Sequence, residues 1–217
     1  FVVKNRLIKL LEDNFLEVNP DSLPGIADQL VLFLNEWKRW SLKINLTAET
    51  DELSVINKHI YESLQYTRAI SPYGSLVDIG SGSGFPAIPI KVMFPKLDVI
   101  LIESQRKRAN FLKAAIRSME LSAIQCVHGR IEDFPEFLGR YDFVTLRHVL
   151  EPNLSLELGS GLLNEDGSLL LQTSFDKTFQ VDFLATLCLY LAQEIFIKKF
   201  SSSHSKVMVF KRIKRIN

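Results

Sequence analysis

Leu76-Val77-Asp78-Ile79-Gly80-Ser81-Gly82-Ser83-Gly84-Phe85-Pro86 decides the fold. A short apolar run carrying one acidic residue opens into three glycines at alternate positions, and apolar residues resume with helical spacing at Ile88, Val92 and Met93. Strand, tight turn and helix in that order form the first unit of an open α/β sheet, whose ligands bind beyond the carboxyl ends of the strands. The glycines allow positive φ and let a ligand lie against the main chain. The helix start leaves unpaired N–H groups facing that ligand.

The spacing narrows the ligand. It is GxGxG rather than the GxGxxG of dinucleotide-binding turns, and Pro86 and Pro89 follow where a pyrophosphate would want free N–H groups. The next apolar run, Asp98-Val99-Ile100-Leu101-Ile102, ends in Glu103, a carboxylate suited to the two hydroxyls of a ribose. NAD and S-adenosylmethionine both carry an adenosine ribose, so Glu103 does not separate them. Asp78 does: a carboxylate just before the turn attracts an amino-acid ammonium group and repels a pyrophosphate. The reading therefore favours S-adenosylmethionine over a NAD-dependent dehydrogenase. A glycine turn used only for close packing is the plainer alternative.

At 217 residues, 47% hydrophobic and 24% charged, the chain is of globular type, with room for one α/β unit and an appendage. No apolar run approaches the ~20 residues of a membrane span. Its start, Phe1-Val2-Val3-Lys4-Asn5-Arg6, is neither a signal peptide nor a natural initiator, and is read as trimmed. Cys126 falls in an expected strand and Cys188 in an expected helix, without metal-ligand spacing. They read as buried thiols of a reducing compartment, the cytoplasm, and no metal is expected. Charge is uneven: residues 49–197 carry −6, whereas residues 198–217 carry seven basic groups and no acidic one. A terminus this basic either meets phosphate or is simply a solvated tail.

Residues 1–72 read as a helical region, with helices over 4–18, through Ile26–Trp37 and over Asp51–Ala69. Residues 73–217 read as the cofactor-binding domain. Its further helices are expected over Arg106–Met119, Leu154–Leu163 and Phe179–Leu191. Its further strands are expected at Ile124–His128, Tyr141–Leu146, Gly167–Gln172, Glu194–Phe200 and Lys206–Lys211. This alternation predicts a mostly parallel sheet with helices on both faces and a hairpin at one edge.

Residues just past the strand tips share one crevice: Gly80 to Phe85, Glu103, Arg130-Ile131-Glu132 and Arg147-His148. Ile131 and Glu132 suit the face and amino group of an adenine; a core role for Ile131 and a solvated one for Glu132 are the alternatives. At the fourth strand's tip there is no Asn/Asp-Pro-Pro-aromatic run to grip an amino group, and no Pro-Cys pair to supply a thiolate. Arg147 stands there instead, and arginine is not a base at neutral pH. Methyl transfer to an acceptor with a lone pair already available, such as guanine N7, fits that absence. Arg147 then orients guanine O6 or a phosphate, or packs near the methionine carboxylate. His148 as general base for a hydroxyl acceptor is the rival reading.

With these residues in place, the chain resembles the RsmG family, also called glucose-inhibited division protein B, a bacterial methyltransferase family of class I (Rossmann-like) fold. The likeness rests on Asn45-Leu46-Thr47-Ala48, His59 with Ser63-Leu64, Val77 through Pro86, Lys107-Arg108 with Phe111-Leu112, Arg130-Ile131-Glu132 and Arg147. The resemblance implies methylation of N7 of a guanine in the 530 loop of 16S ribosomal RNA, as free RNA or in the small subunit, with S-adenosylmethionine as cofactor. It implies cofactor contacts at Gly80, Phe85, Ile131, Glu132 and Arg147, beside Asp78, Gly82, Gly84 and Glu103 from the turn itself. It also places Asn45–Ala48 and His59 at the junction of helices and sheet. His59 and Ser63 are expected to form a hydrogen-bonded structural pair. Three positions depart from the family pattern: Ala87 for glycine, His148 for a small residue, and Gln172-Thr173 for Lys-Gly, which removes a cation near incoming RNA. Those departures motivate a second reading, a cofactor-binding protein that recognises RNA or a ribosomal particle with little or no turnover.

Overall fold

The computed structural model describes residues 2–15, 18–197 and 204–213. Seven strands form one sheet: β1 (Ser75–Ile79), β2 (Asp98–Glu103), β3 (Ile124–His128), β4 (Tyr141–Arg147), β5 (Leu163–Ser174), β6 (Leu189–Ile197) and β7 (Ser205–Arg212). Their order is β3-β2-β1-β4-β5-β7-β6. Strands β1 to β5 are parallel, and β7 runs antiparallel to both its neighbours. The predicted α/β architecture with a hairpin edge is what forms.

Alternation along the strands builds two cores. Leu76, Leu101, Phe143, Leu170 and Val207 pack on one face, while Val77, Ile102, Val144, Leu171 and Met208 pack on the other. Successive side chains of a strand point to opposite faces, so a sheet covered on both sides reads as a nearly continuous apolar run. The first face is covered by α1 (Val2–Asn14), α2 (Leu23–Ser41), α5 (Ala87–Met93) and α6 (Arg106–Ser118), through Leu7, Leu30, Ile88 and Phe111. The second face is covered by α7 (Pro152–Ser160) and α8 (Val181–Thr186), through Leu156 and Leu184. The N-terminal helices thus share a core with the sheet.

Between α2 and β1 runs a composite helix. Its parts are α3 (Glu52–Val55), a π turn (Ile56–Ile60), α4 (Tyr61–Gln65) and a 3₁₀ end (Tyr66–Ala69). Asp51 caps it, its Oδ1 accepting from the Ser54 N–H at 2.9 Å. The chain leaves β1 toward β2 on one side and returns to β4 on the other, so β1/β4 is the topological switch point where a ligand crevice opens.

Four boundaries differ from expectation. Arg147 is the last residue of β4 rather than lying beyond it, and β5 begins at Leu163 because α7 has ended at Ser160. Helix α8 is six residues long, and β6 starts at Leu189 rather than Glu194. Cys188 therefore lies between helix and strand, with φ +54°. The cause is that β6 is an edge strand: Tyr190 and Leu191 are exposed, so its leucines do not alternate with burial. The first helix stops at Asn14; Leu16 and the expected end of β6 at Phe200 lie outside the described residues.

Candidate functional site

The glycine turn joins β1 to α5 at the switch point. Gly80 and Gly82 have φ of +66° and +52°, the left-handed region where a Cβ is strained. A Cβ on Gly80 would come within 2.7 Å of the Val149 side chain, and one on Gly84 within 2.7 Å of Ile88. Those two glycines serve packing as well as conformation. At Gly82 a Cβ would meet Arg108 Nη1 and the Gly80 carbonyl, both at 3.7 Å, which is ordinary contact, so packing does not exclude a side chain there. The turn is fastened by the Ser81 N–H, which donates to the Ile102 carbonyl (3.0 Å), and by Ser81 Oγ, which donates to the Asp78 carbonyl (2.9 Å).

Two carboxylates face this turn. Glu103, 4% exposed at the tip of β2, accepts from the Gly82 N–H through Oε2 and from the Gln105 N–H through Oε1, both at 2.7 Å. A carboxylate has about four acceptor positions, so two remain for ligand hydroxyls. Asp78 is 1% exposed; its Oδ1 accepts from Thr145 Oγ1 at 2.6 Å, whereas its Oδ2 is buried with no partner. Burial pushes the Asp78 carboxyl up to about 7, against hydrogen bonds from Thr145 and Ser81 and the Arg147 charge. A buried unpaired acceptor is costly unless a ligand meets it. Its place on β1, just before the glycine turn, fits the ammonium end of an amino-acid cofactor.

Past β3, a 3₁₀ turn (Ile131–Asp133) carries Ile131, buried, and Glu132, exposed. In register, Glu103 lies opposite His128, three residues before Ile131. The Phe85 ring packs between Phe33, edge-on at 5.4 Å, and the His59 ring, stacked at 5.1 Å.

Arg147 is the centre of a buried polar network. Its Nε donates to Gln172 Oε1 at 2.9 Å, and its Nη2 donates to His59 Nδ1 at 2.9 Å and to Glu62 Oε2. The side chains of Arg147 and Glu62 are only 6% and 5% exposed. Gln172 Nε2 donates to the same Glu62 oxygen at 3.1 Å, and the buried Tyr66 hydroxyl donates to Gln172 Oε1 at 3.5 Å. His59 Nε2 in turn bonds Glu49, whose other oxygen accepts from Lys58 Nζ at 2.6 Å. Although burial opposes it, hydrogen bonding from Lys58 and His59 holds the Glu49 carboxyl at about 2. Arg147 Nη1 bonds no described residue and is not sealed from solvent. That nitrogen is left for a ligand.

One expectation is met here and one changes. His59 and Ser63 are hydrogen-bonded, Ser63 Oγ donating to the His59 backbone carbonyl at 2.6 Å, while the His59 ring is used by Glu49 and Arg147. Gln172 is buried and bonds Arg147 rather than facing incoming RNA, so a cation there would sit against the guanidinium. Glu62 and Glu49 went unread in the sequence. One signal was available for Glu62: His59, Glu62, Ser63 and Tyr66 follow i, i+3, i+4, i+7 spacing, a polar stripe along one side of the helix. His148, beyond β4, is exposed with φ +56°.

The family model for rRNA small subunit methyltransferase G, GidB, matches residues 26–208. The chain belongs to the GidB family. A GidB relative, the ribosomal RNA small subunit methyltransferase G of Streptococcus pneumoniae serotype 4, is 42% identical over 137 residues, covering 60% of this chain and 58% of the relative. The protein of that name from Streptococcus agalactiae serotype V is 42% identical over 138 residues, with the same coverage. The match thus spans less than two thirds of these curated relatives. Among solved structures, M. jannaschii TYW2 in complex with AdoMet superposes with a TM-score of 0.61 at 18% identity, covering 80% of each chain. TrmN from Thermus thermophilus gives 0.53 at 19% identity, covering 80% of this chain and 51% of TrmN. At such identities the likeness supports the fold of this GidB chain and nothing finer.

Proposed function

We propose that the crevice binds S-adenosylmethionine and that the chain directs its methyl group to N7 of a guanine in the 530 loop of 16S ribosomal RNA. The observation that carries the reading is the buried, unpaired Asp78 Oδ2 on β1, just before the glycine turn, in a chain whose GidB match runs from residue 26 to 208. Asp78 would hold the ammonium group, Glu103 the ribose hydroxyls, Ile131 and Glu132 the adenine, and the turn from Gly80 to Gly84 the main-chain approach. Bound there, S-adenosylmethionine supplies an electrophilic methyl group on a sulfonium. The acceptor N7 brings its own lone pair, so the chain has to align it rather than deprotonate it. Both His59 nitrogens are already engaged, and Arg147 Nη1 remains to orient guanine O6 or a phosphate.

The test is to incubate small subunits and free 16S RNA from a strain lacking the gene with the protein and S-adenosylmethionine. Mass spectrometry should then find N7-methylguanine in the 530 loop. Cofactor binding without labelling of either substrate would leave a protein that recognises RNA without turnover. Two variants sharpen the reading. Glu103→Ala should weaken S-adenosylmethionine binding by roughly 1.5–3 kcal/mol in calorimetry, the value of hydrogen bonds to a charged group. His148→Ala should keep turnover within about threefold, whereas a general base would cost at least about 10²-fold.

A further inference from the structure

We infer that His59 is a positioning residue for Arg147: a neutral imidazole, its proton on Nε2, that fixes the guanidinium plane by accepting through Nδ1. The roles follow from the partners. A guanidinium only donates, so the His59 nitrogen 2.9 Å from Arg147 Nη2 is the acceptor. A carboxylate only accepts, so the nitrogen facing Glu49 carries the proton. Glu49 is itself anchored by Lys58, and the imidazole is held flat against the Phe85 ring at 22°. Arg147 is thereby gripped from three elements: Gln172 on β5 takes Nε, while Glu62 on α4 and His59 on the π turn take the two hydrogens of Nη2. His59 also stands between Arg147 and Glu49, a second carboxylate that would otherwise compete for the guanidinium. The fork then has one orientation, with Nη1 outside the grip.

The charged groups around the ring are Glu49, Lys58, Glu62 and Arg147. Burial and then the Arg147 charge lower the His59 pKa below its ordinary 6.5, while Glu49 opposes them. Protonation of Nδ1 would set an N–H against an N–H and release Arg147. Methyl transfer should therefore fall on the acid side with an apparent pKa below 6.5.

This inference rests on the methyltransferase reading for its kinetic readout only. In the full-length chain, ¹⁵N-edited NMR of the histidine rings at pH 7.5 should show His59 protonated on Nε2 with Nδ1 bare; the other tautomer or an imidazolium overturns the proposal. In steady-state kinetics, His59→Asn keeps an acceptor near the Nδ1 position and should retain kcat within about threefold, whereas His59→Phe keeps the stacking but no acceptor and should lose about tenfold or more, with KM values within about twofold. The acid limb should be absent in His59→Asn. Activity in His59→Phe with its loss in His59→Asn would make the ring a packing element and overturn the proposal. Wild-type protein with no transfer at all would defeat the methyltransferase reading and leave the tautomer to decide the positioning role.

Discussion

Glu62→Ala is expected to lower the unfolding free energy by about 3–5 kcal/mol, because it leaves a buried guanidinium without its direct counter-ion. Arg147 and Glu62 have side chains 6% and 5% exposed, so water does not replace the lost partner. Glu49 does not substitute either, since His59 lies between it and Arg147. The reverse change, Arg147→Ala, should cost a similar amount by stranding the Glu62 carboxylate with only the Gln172 amide. Exchanging the two together, as Arg147→Met with Glu62→Leu, should cost less than either single change, since no uncompensated charge remains. Urea unfolding of wild type, Arg147→Met, Glu62→Leu and the double variant gives the coupling directly. A Glu62→Ala loss under about 1 kcal/mol, the range of exposed pairs, would mean that the pair is solvated. Arg147 thus carries part of the fold as well as facing the crevice, and turnover of its variants is meaningful only where unfolding curves show them native.

The parts of this architecture legible in sequence were those set by short-range pattern. Val77-Asp78-Ile79 followed by Gly80, Gly82 and Gly84 specifies strand and turn locally, and the strand–helix alternation after it prunes the topology to a parallel sheet. What escaped was set by partners distant in the chain. Glu62 meets Arg147 across 85 residues and Gln172 across 110. Periodicity places each on a buried face without saying who waits opposite. Gln172 sits at a strand's end, where sequence alone suggests the loss of a cation near RNA, whereas Tyr66 and Glu62 of the composite helix bond its side chain. The same blindness applied at Gly80: its positive φ was foreseeable, but the Val149 side chain filling its Cβ position arrives from beyond β4. β6 was misjudged for a different reason, because half of an edge strand's side chains face water whatever their hydropathy.

Asp78→Asn should make the ligand-free protein more stable than wild type at pH 8, by about 2–4 kcal/mol, an advantage that shrinks as pH falls and is gone by pH 3.8. The sign follows from linkage. Burial raises the Asp78 pKa from 3.8 to about 7 in the native state. Between those values the native protein holds a proton that the unfolded chain has released, so stability falls as pH rises, by about 1.4 kcal/mol per unit at most. The contribution is present in full below 3.8, is lost through the window, and is flat above about 7. His59, with its pKa lowered, runs the opposite way up to 6.5, so the difference between wild type and variant is the quantity to follow. Asparagine keeps the acceptor for Thr145 and carries no charge, which is why the gap should open above pH 3.8, where the unfolded wild type has released a proton that the native one holds. The same substitution should weaken S-adenosylmethionine at least about tenfold, since an ammonium facing Oδ2 loses a charged partner in a low-dielectric site. Wild-type binding near pH 6.5 should then release a proton, detectable by calorimetry in buffers of different ionisation enthalpy. Binding that is indifferent to pH from 6 to about 8, together with unchanged affinity in Asp78→Asn, would place the ammonium elsewhere. If both effects appear, the instability of an ionised Asp78 in the empty crevice and its attraction for a cation have one origin. Asp78 Oδ2 is held without a partner in the fold, and an ammonium group there would complete it.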